Sequence, residues 1–536
     1  PAYADEALVS FASMQLGRPV KWSEDRSENY KVTIHGRDHV EYVEMCGRRD
    51  GTITGIRGTI YAGLGAYAST AGPGIPTVLH GLVYSGAYAI PNIKCTVHGA
   101  YTSATPVDAY RGAGRPEAAY LIERLVDTFA REAGLDPVEV RRRNFIPKDK
   151  FPYTVATGVT YDSGDYEPAL DKALAMVDYK GFRKEQEAAR KQGKYLGIGV
   201  VSYIEICGLG PSQVAGAIGF GAGLYDSAIV RVYPTGMVRV YIGASPHGQG
   251  EETTFAQVVA EEFGIPVEHI EIVHGDTETT PQGWGTYGSR TTAVCGSAVK
   301  IAAQRVKEKA KKLAAHLLEA NEADLEWDGT QFRVKGTPGA GKAFGELALM
   351  ANVAWNMPAG LEPGLEATAF FDPTNFVYPF GTHVCTVEVD AETGQVKILR
   401  YIAVDDCGPQ INPVIVQGQI HGGVIQGIGE ALQEIAIYDQ DGQLLTGTMM
   451  DYAVPKISQM PHVETACTVT PSPVNPLGVK GCGEAGTIAS AAAVVNAVLD
   501  ALQPFGVKNI DKPVTPARVW AAIRAGTASG NGQGAL

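Results

Sequence analysis

The chain has 536 residues, enough for two to four domains with cores that need no disulfide or metal staple. With 45 Lys and Arg against 58 Asp and Glu, its net charge of −13 argues against a nucleic-acid surface, which needs a basic footprint. A 45% hydrophobic fraction excludes intrinsic disorder, and the 64 glycines, about 12% against a usual ~7%, lack the period of collagen.

In chain order, Ala4 to Leu16 is alanine-rich and predicts a helix stopped by Gly17. Val32–Ile34 and Val40–Met45 read as strands. Gly58 to Ile93 carries no Asp, Glu, Lys or Arg, yet Gly63, Gly65, Gly72, Pro73, Gly74 and Pro76 break it. It reads as buried, irregular backbone rather than a membrane span. A helix starts at Pro116 and runs to Gly134, and Asp136-Pro137 caps another. Arg183 to Lys194, highly charged, is the expected linker between a first domain, 1–185, and a second, 186–536. Ala228–Tyr233 and Met237–Ile242 predict a hairpin. A helix at Thr254–Phe263, a strand at His269–His274 and a long helix at Val299–Leu318 follow. Asn321 to Gly364 reads as polar and irregular. His383–Asp390 and Gln395–Val404 form a second predicted hairpin. The last helices are Val414–Leu432, Ala491–Leu502 and Pro516–Ala525. The fold class is α+β with two domains.

Several motifs fail on inspection. Gly336 to Lys342 resembles a phosphate loop, but Ala343 replaces the Ser or Thr that would hold magnesium, and Pro338 sits inside. Gly481-Cys482-Gly483-Glu484-Ala485-Gly486 matches a dinucleotide loop without the second strand it requires. His35 and His39 read as surface histidines. The eight cysteines form no Cys-x-x-Cys pair, so iron–sulfur and zinc-ribbon spacings are absent, and a reduced, cytoplasmic setting is expected.

Four other segments are too particular for packing alone. Ala109-Tyr110-Arg111-Gly112-Ala113-Gly114-Arg115 offers two arginines and backbone amides before a helix. His247-Gly248-Gln249-Gly250 places a neutral amide between glycines. Gly288-Ser289-Arg290-Thr291 puts hydroxyls and a cation at a helix entrance. Asp405-Asp406-Cys407-Gly408 leads to a helix on which Gln417, Gln419 and Gln426 interleave with Gly418, Gly422, Gly423, Gly427 and Gly429. Glycine inside a helix costs about 1 kcal/mol, so close approach of its backbone to a large ligand is the expected reason. The 481–486 loop adds amides for an anion beside a carboxylate, Glu484.

Taken in this order, these segments resemble the large, molybdenum-binding subunit of the xanthine oxidase family, nearest to the large chains of aerobic carbon-monoxide dehydrogenases. The resemblance covers essentially the whole chain. It implies two elongated mixed α/β domains with a molybdopterin dinucleotide, in its cytosine form, between them. Gly248, Gln249, Gly250, Ser289, Arg290, Thr291, Asp406, Cys407, Gln419, Lys480 and Gly483 would line it, with Arg111, Gly112 and Ala113 beside the metal. Molybdenum is held by the pterin dithiolene in that family, so no direct protein ligand is expected. Glu484 matches the catalytic glutamate, the general base toward a metal-bound hydroxide whose oxygen attacks an electrophilic carbon. Hydride then passes to a Mo=S sulfur and electrons to [2Fe-2S] and FAD groups on partner subunits, in a dimer of heterotrimers. Family large subunits begin with a smaller αβ domain and a Gly-Gly-Gly-Phe-Gly loop, both absent here, so another part or chain is expected to supply them.

Two departures bear on the substrate. Copper-dependent members carry a cysteine where Gly112 stands, and xanthine enzymes a phenylalanine where Ala113 stands. Both argue toward an aldehyde or N-heteroaromatic substrate, with Tyr203 and Glu205 as pocket residues. The alternatives are carbon-monoxide oxidation, a non-catalytic cofactor-carrying subunit, and an unrelated phosphate-ligand binder.

Overall fold

The fold is that of a computed structural model, which describes residues 3–530 except 218 and 338. Its amino-terminal helices are α1 (Ala4–Leu16) and α2 (Arg26–Val32). Gly17 ends α1 with a left-handed φ of 63°, as expected. The predicted strand at 32–34 does not form. Asp25 accepts the Glu28 N–H and Glu28 accepts the Asp25 N–H, a reciprocal cap that commits this stretch to a helix.

Strands β1 (His39–Gly47), β2 (Ile53–Gly65) and β3 (Ile93–Tyr101) form one sheet, with β1 antiparallel and β3 parallel to β2. Between β2 and β3 the uncharged segment folds into short turns at Ile75–Leu79 and Gly81–Val83. Residues 83–88 are buried. Helix α3 (Arg115–Ala133) ends at Gly134, and α4 (Pro137–Asn144) is capped by Asp136, which accepts the Val138 N–H. Next come α5 (Tyr166–Val177) and α6 (Tyr179–Arg190). The charged stretch expected to be a linker lies largely in α6, and the division after residue 185 falls inside it. Phe182, Gln186 and Ala189 are its buried stripe, and Arg183 and Gln186 both bond the Asp500 carboxylate, at 2.8 and 2.7 Å.

After β4 (Tyr195–Ile204) a distinct unit begins. It holds β5 (Asp226–Val232), β6 (Val238–Ile242), α7 (Glu251–Phe263), β7 (Ile270–Val273), α8 (Thr291–Leu317), α9 (Phe344–Val353) and β8 (Leu365–Phe371). The strands run β8-β5-β6-β7, and the helices share one core with them. The segment 321–364 is more regular than its polarity suggests. It carries α9 and three short strands, Leu325–Trp327, Gln331–Val334 and Gly341–Ala343. The phosphate-loop look-alike joins two of these strands, and Pro338 within it lies outside the described residues.

The chain returns to β4 through β9 (Phe380–Val389), β10 (Val396–Asp406), α10 (Pro413–Leu432), β11 (Val463–Cys467), α11 (Ala485–Ala501) and α12 (Pro516–Gly530). This sheet runs β11-β10-β9-β4. One face, with Val200, Val384 and Ile402, joins the core of α3, α4 and α5. The other, with Val201, Cys385 and Tyr401, packs on α10 and α11. A Cβ on Gly197 or Gly199 of β4 would stand 2.0 or 2.1 Å from the carbonyl of Ala497 or Ala493. Bare strand backbone therefore lets α11, buried along its length, lie directly on the sheet.

Candidate active site

The segments singled out in the sequence meet around one cavity of about 1070 Å³. Five helices begin at its wall. Helices α3, α7 and α8 start beside Ala113, Gln249 and Ser289, and α10 and α11 beside Asn412 and Gly483. Each brings free N–H groups and the positive end of its dipole, which favours anionic groups of a ligand. Gly248 and Gly418 line the wall with nothing within 4 Å of where a Cβ would stand, so a ligand could reach their backbone.

Glu484 lies on this wall, half-buried. Its Oε1 accepts the Gly112 N–H at 2.9 Å. Its Oε2 pairs with the Arg115 guanidinium and lies 3.4 Å from Ser289 Oγ, which in turn accepts the Glu484 N–H. Gly112 (φ 98°) and Ala113 (φ 35°) are both left-handed, and this turn aims the 112 amide at the carboxylate. Arg115 is fully buried and also lies 3.6 Å from the buried Glu205. Burial, with the neighbouring Glu484 charge, pushes the Glu205 carboxyl up to about 8, so it stays protonated at neutral pH and leaves the guanidinium to Glu484. Arg111 ties the turn to the 483 loop and α10, donating to the Gly483 carbonyl at 2.7 Å and the Gln419 carbonyl at 2.9 Å.

Lys480 lies on the wall, 3% exposed, with no hydrogen-bond partner for its ammonium. Burial lowers its pKa, while Asp162 and Asp406 act against that. A buried, unpaired cation is costly, so this position suits an anionic partner. Cys407 also lines the cavity, its thiol pushed well up by the neighbouring Cys482 and by burial, so it is a neutral donor.

Comparison with known proteins decides between a phosphate binder of unknown kind and a particular cofactor fold. Residues 1–145 and 172–461 match the two molybdopterin cofactor-binding domain families. The chain belongs to the molybdopterin cofactor-binding family. It is 45% identical to the carbon monoxide dehydrogenase large chain of Hydrogenophaga pseudoflava, over 97% of this chain and 65% of that relative. It is 38% identical to the nicotine 6-hydroxylase large subunit of Paenarthrobacter nicotinovorans, over 97% of this chain and 64% of the relative. The chain thus spans about 65% of the length of these curated relatives. Among solved structures it resembles reconstituted CO dehydrogenase from Oligotropha carboxidovorans (TM-score 0.94, 39% identity, 98% of this chain, 66% of that one). It also resembles quinoline 2-oxidoreductase from Pseudomonas putida 86 (TM-score 0.92, 37% identity, 97% of this chain, 66% of that one).

Of the residues expected to hold a molybdopterin, Arg111, Ala113, Gly248, Gln249, Ser289, Thr291, Cys407, Gln419, Lys480 and Gly483 do line the cavity. Others stand behind it. Arg290 is fully buried, salt-bridged to Asp226 at 2.8 Å and bonded to the Leu209, Leu224 and Gly285 carbonyls, so it braces the loop instead of reaching a ligand. Asp406 accepts the Gly408 N–H at 3.0 Å and the Thr468 and Thr470 hydroxyls, which fixes the 405–408 turn. Gly250 caps α7, where a Cβ would meet Ile415 at 2.7 Å. Gly112 reaches the site only through its N–H.

Tyr203 and Glu205 are not pocket residues. The Tyr203 hydroxyl bonds Asp405 at 2.5 Å in the sheet core, and Glu205 lies behind Arg115. The wall opposite α10 is instead the uncharged 69–82 segment, through Ile75, Val78, Leu79 and Leu82. Its lack of charge was the available signal, since an apolar wall on irregular backbone is what a ligand cavity needs. Sequence reasoning also left Arg115 unassigned to Glu484.

The residues present fit a molybdopterin. The orphaned Lys480 ammonium, the open Gly248 and Gly418, and five helix starts form one donor-rich wall for a long, phosphate-bearing ligand.

Proposed function

We propose that this chain is the cofactor-carrying catalytic part of a molybdenum-dependent hydroxylase. It oxidises an aldehyde or N-heteroaromatic carbon with oxygen from water. The observation that carries this reading is Glu484, a carboxylate on the cavity wall held by Gly112, Arg115 and Ser289. Gln249, Ser289, Thr291, Gln419, Lys480 and Gly483 would hold the molybdopterin, in its cytosine dinucleotide form, with Arg111, Gly112 and Ala113 nearest the metal. When bound, that group supplies a two-electron acceptor and an activated oxygen.

This chain's own work is proton handling and orientation. A carboxylate oxygen offers two lone pairs. Oε2 of Glu484 already faces Arg115 and Ser289, whereas Oε1 accepts only from Gly112. Oε1 therefore has the free lone pair and receives the proton of the attacking oxygen. The ion pair with Arg115 keeps the carboxylate from turning. The apolar 69–82 wall excludes water beside it. Iron–sulfur and FAD subunits are the partners this reading implies, in the cytoplasm.

Carbon monoxide is the second substrate reading, favoured by the 45% identity to a carbon monoxide dehydrogenase large chain. Against it, position 112 is a glycine with no thiol to offer, in a turn where a Cβ would stand 2.3 Å from Pro116 Cγ. Dye reduction by the molybdenum-replete complex, offered an aldehyde, an N-heteroaromatic and carbon monoxide, tests both. Turnover of either organic class is expected. Turnover of carbon monoxide alone favours the second reading, and no turnover at all favours a non-catalytic carrier.

A further inference from the structure

Beside the cavity wall, three metal-ligand side chains meet. His39 and Glu41 stand two residues apart on β1, so they share one face of the strand. His80 arrives from the junction of the two turns in the 69–82 wall. His39 Nδ1 lies 3.2 Å and His80 Nε2 lies 3.5 Å from Glu41 Oε1. One ligand atom from each residue lies within 4.8 Å of the other two. The expected surface position of His39 is corrected here: its side chain is only 7% exposed. His35 is half-buried as well, its Nε2 against the Tyr30 carbonyl.

We propose that His39, Glu41 and His80 form a zinc site that staples β1 to the cavity wall. Tetrahedral zinc with bonds of ~2.0–2.1 Å sets its ligand atoms roughly 3.3–3.4 Å apart, and two of the three edges are already close to that. Two imidazole nitrogens and a carboxylate are a zinc-type donor set, with the fourth position left to water. An ion pair between His39 and Glu41 explains the first contact but not His80. That ring is fully buried, and its Nε2 makes no hydrogen bond. A bare buried nitrogen is costly, and coordination satisfies it. The local charge also suits a dication. Glu117 acts on both rings, while the nearby cations Arg37 and Lys512 are already engaged with Glu430. The site is independent of the molybdenum chemistry, but it braces the same wall. A Cβ on Gly114 would meet the His80 N at 2.7 Å, so the stapled segment abuts the turn that holds Glu484.

Elemental analysis of the assembled complex after dialysis against EDTA tests the proposal. About one zinc per chain is expected, counted separately from molybdenum, and ~0.1 or less overturns it. Complex grown on cobalt(II) should show the visible absorption of tetrahedral Co²⁺, and its absence overturns the proposal without any variant. His80→Gln and Glu41→Gln should each lower retained zinc by ~10-fold or more, since losing a direct ligand exceeds losing an outer partner. His98→Gln, on the same sheet, should keep it. Full zinc in both ligand variants overturns the assignment.

Discussion

Gly418 and Gly422 on α10 line the cavity, while Gly423 and Gly427, one step around the same helix, face α11. A Cβ at 418 would meet nothing within 4 Å, and at 422 only the Arg111 guanidinium, at 3.3 Å. A Cβ at 423 would stand 2.9 Å from Gly486 Cα, and at 427 it would stand 1.7 Å from Ser490 Oγ. From the other side, a Cβ at Gly486 would lie 2.4 Å from the Ile420 carbonyl. One pair opens space for a ligand and the other removes space between two helices. The expectation that every glycine on this helix serves a ligand is therefore half corrected. A glycine excess marks close approach without saying to what.

The contrast can be broken or sharpened by substitution, beginning with the strongest effect. Glu484→Gln keeps an oxygen for the Gly112 N–H but loses the base. Turnover of the molybdenum-replete complex should fall ~10²–10⁴-fold while molybdenum content holds, read by dye reduction beside elemental analysis. Arg115→Met leaves the Glu484 carboxylate without its paired cation, and should lower unfolding stability by ~3–5 kcal/mol in a denaturant titration. Gly486→Ala drives a methyl into the α10 backbone, and should destabilise by ~1–3 kcal/mol in thermal unfolding. Gly418→Ala should instead stabilise α10 of the cofactor-free chain by up to ~1 kcal/mol, because its methyl would meet no protein atom within 4 Å. If these two alanines behaved alike, the two-sided account of α10 would fail.

A further test concerns pH. Glu205 titrates near 8 in the folded chain against an ordinary 4.5, so between these values the folded state keeps a proton that the unfolded state releases. Its contribution is complete at low pH and is lost as pH rises through that window. Glu205→Gln mimics the protonated form, so the variant's stability relative to wild type should climb from about pH 5 to pH 8. A difference that stays flat with pH would contradict the protonated assignment.

Much of the site was legible because its chemistry is written in unusual local patterns. Glycine beside Gln249, Ser289 or Glu484 at a helix entrance marks a tight turn or close approach, and all three of these polar residues line the cavity. What stayed hidden depends on direction. Strand β4 is buried on both faces and Glu205 lies just past its end, so no alternation of polar and apolar residues reveals which side Tyr203 and Glu205 serve. Arg111 and Arg115 flank the same glycines, yet one holds the Gly483 and Gln419 carbonyls and the other holds the base. The charge of α6 hid a buried stripe, because the Arg183 partner, Asp500, is 317 residues away.

The central claim is that this cavity holds a molybdopterin dinucleotide. Molybdenum and acid-released nucleotide, counted per chain in the complex purified from molybdenum-replete cells, test it most directly. The account predicts close to one molybdenum and one cytidine nucleotide per chain. Fully assembled complex carrying neither would contradict it.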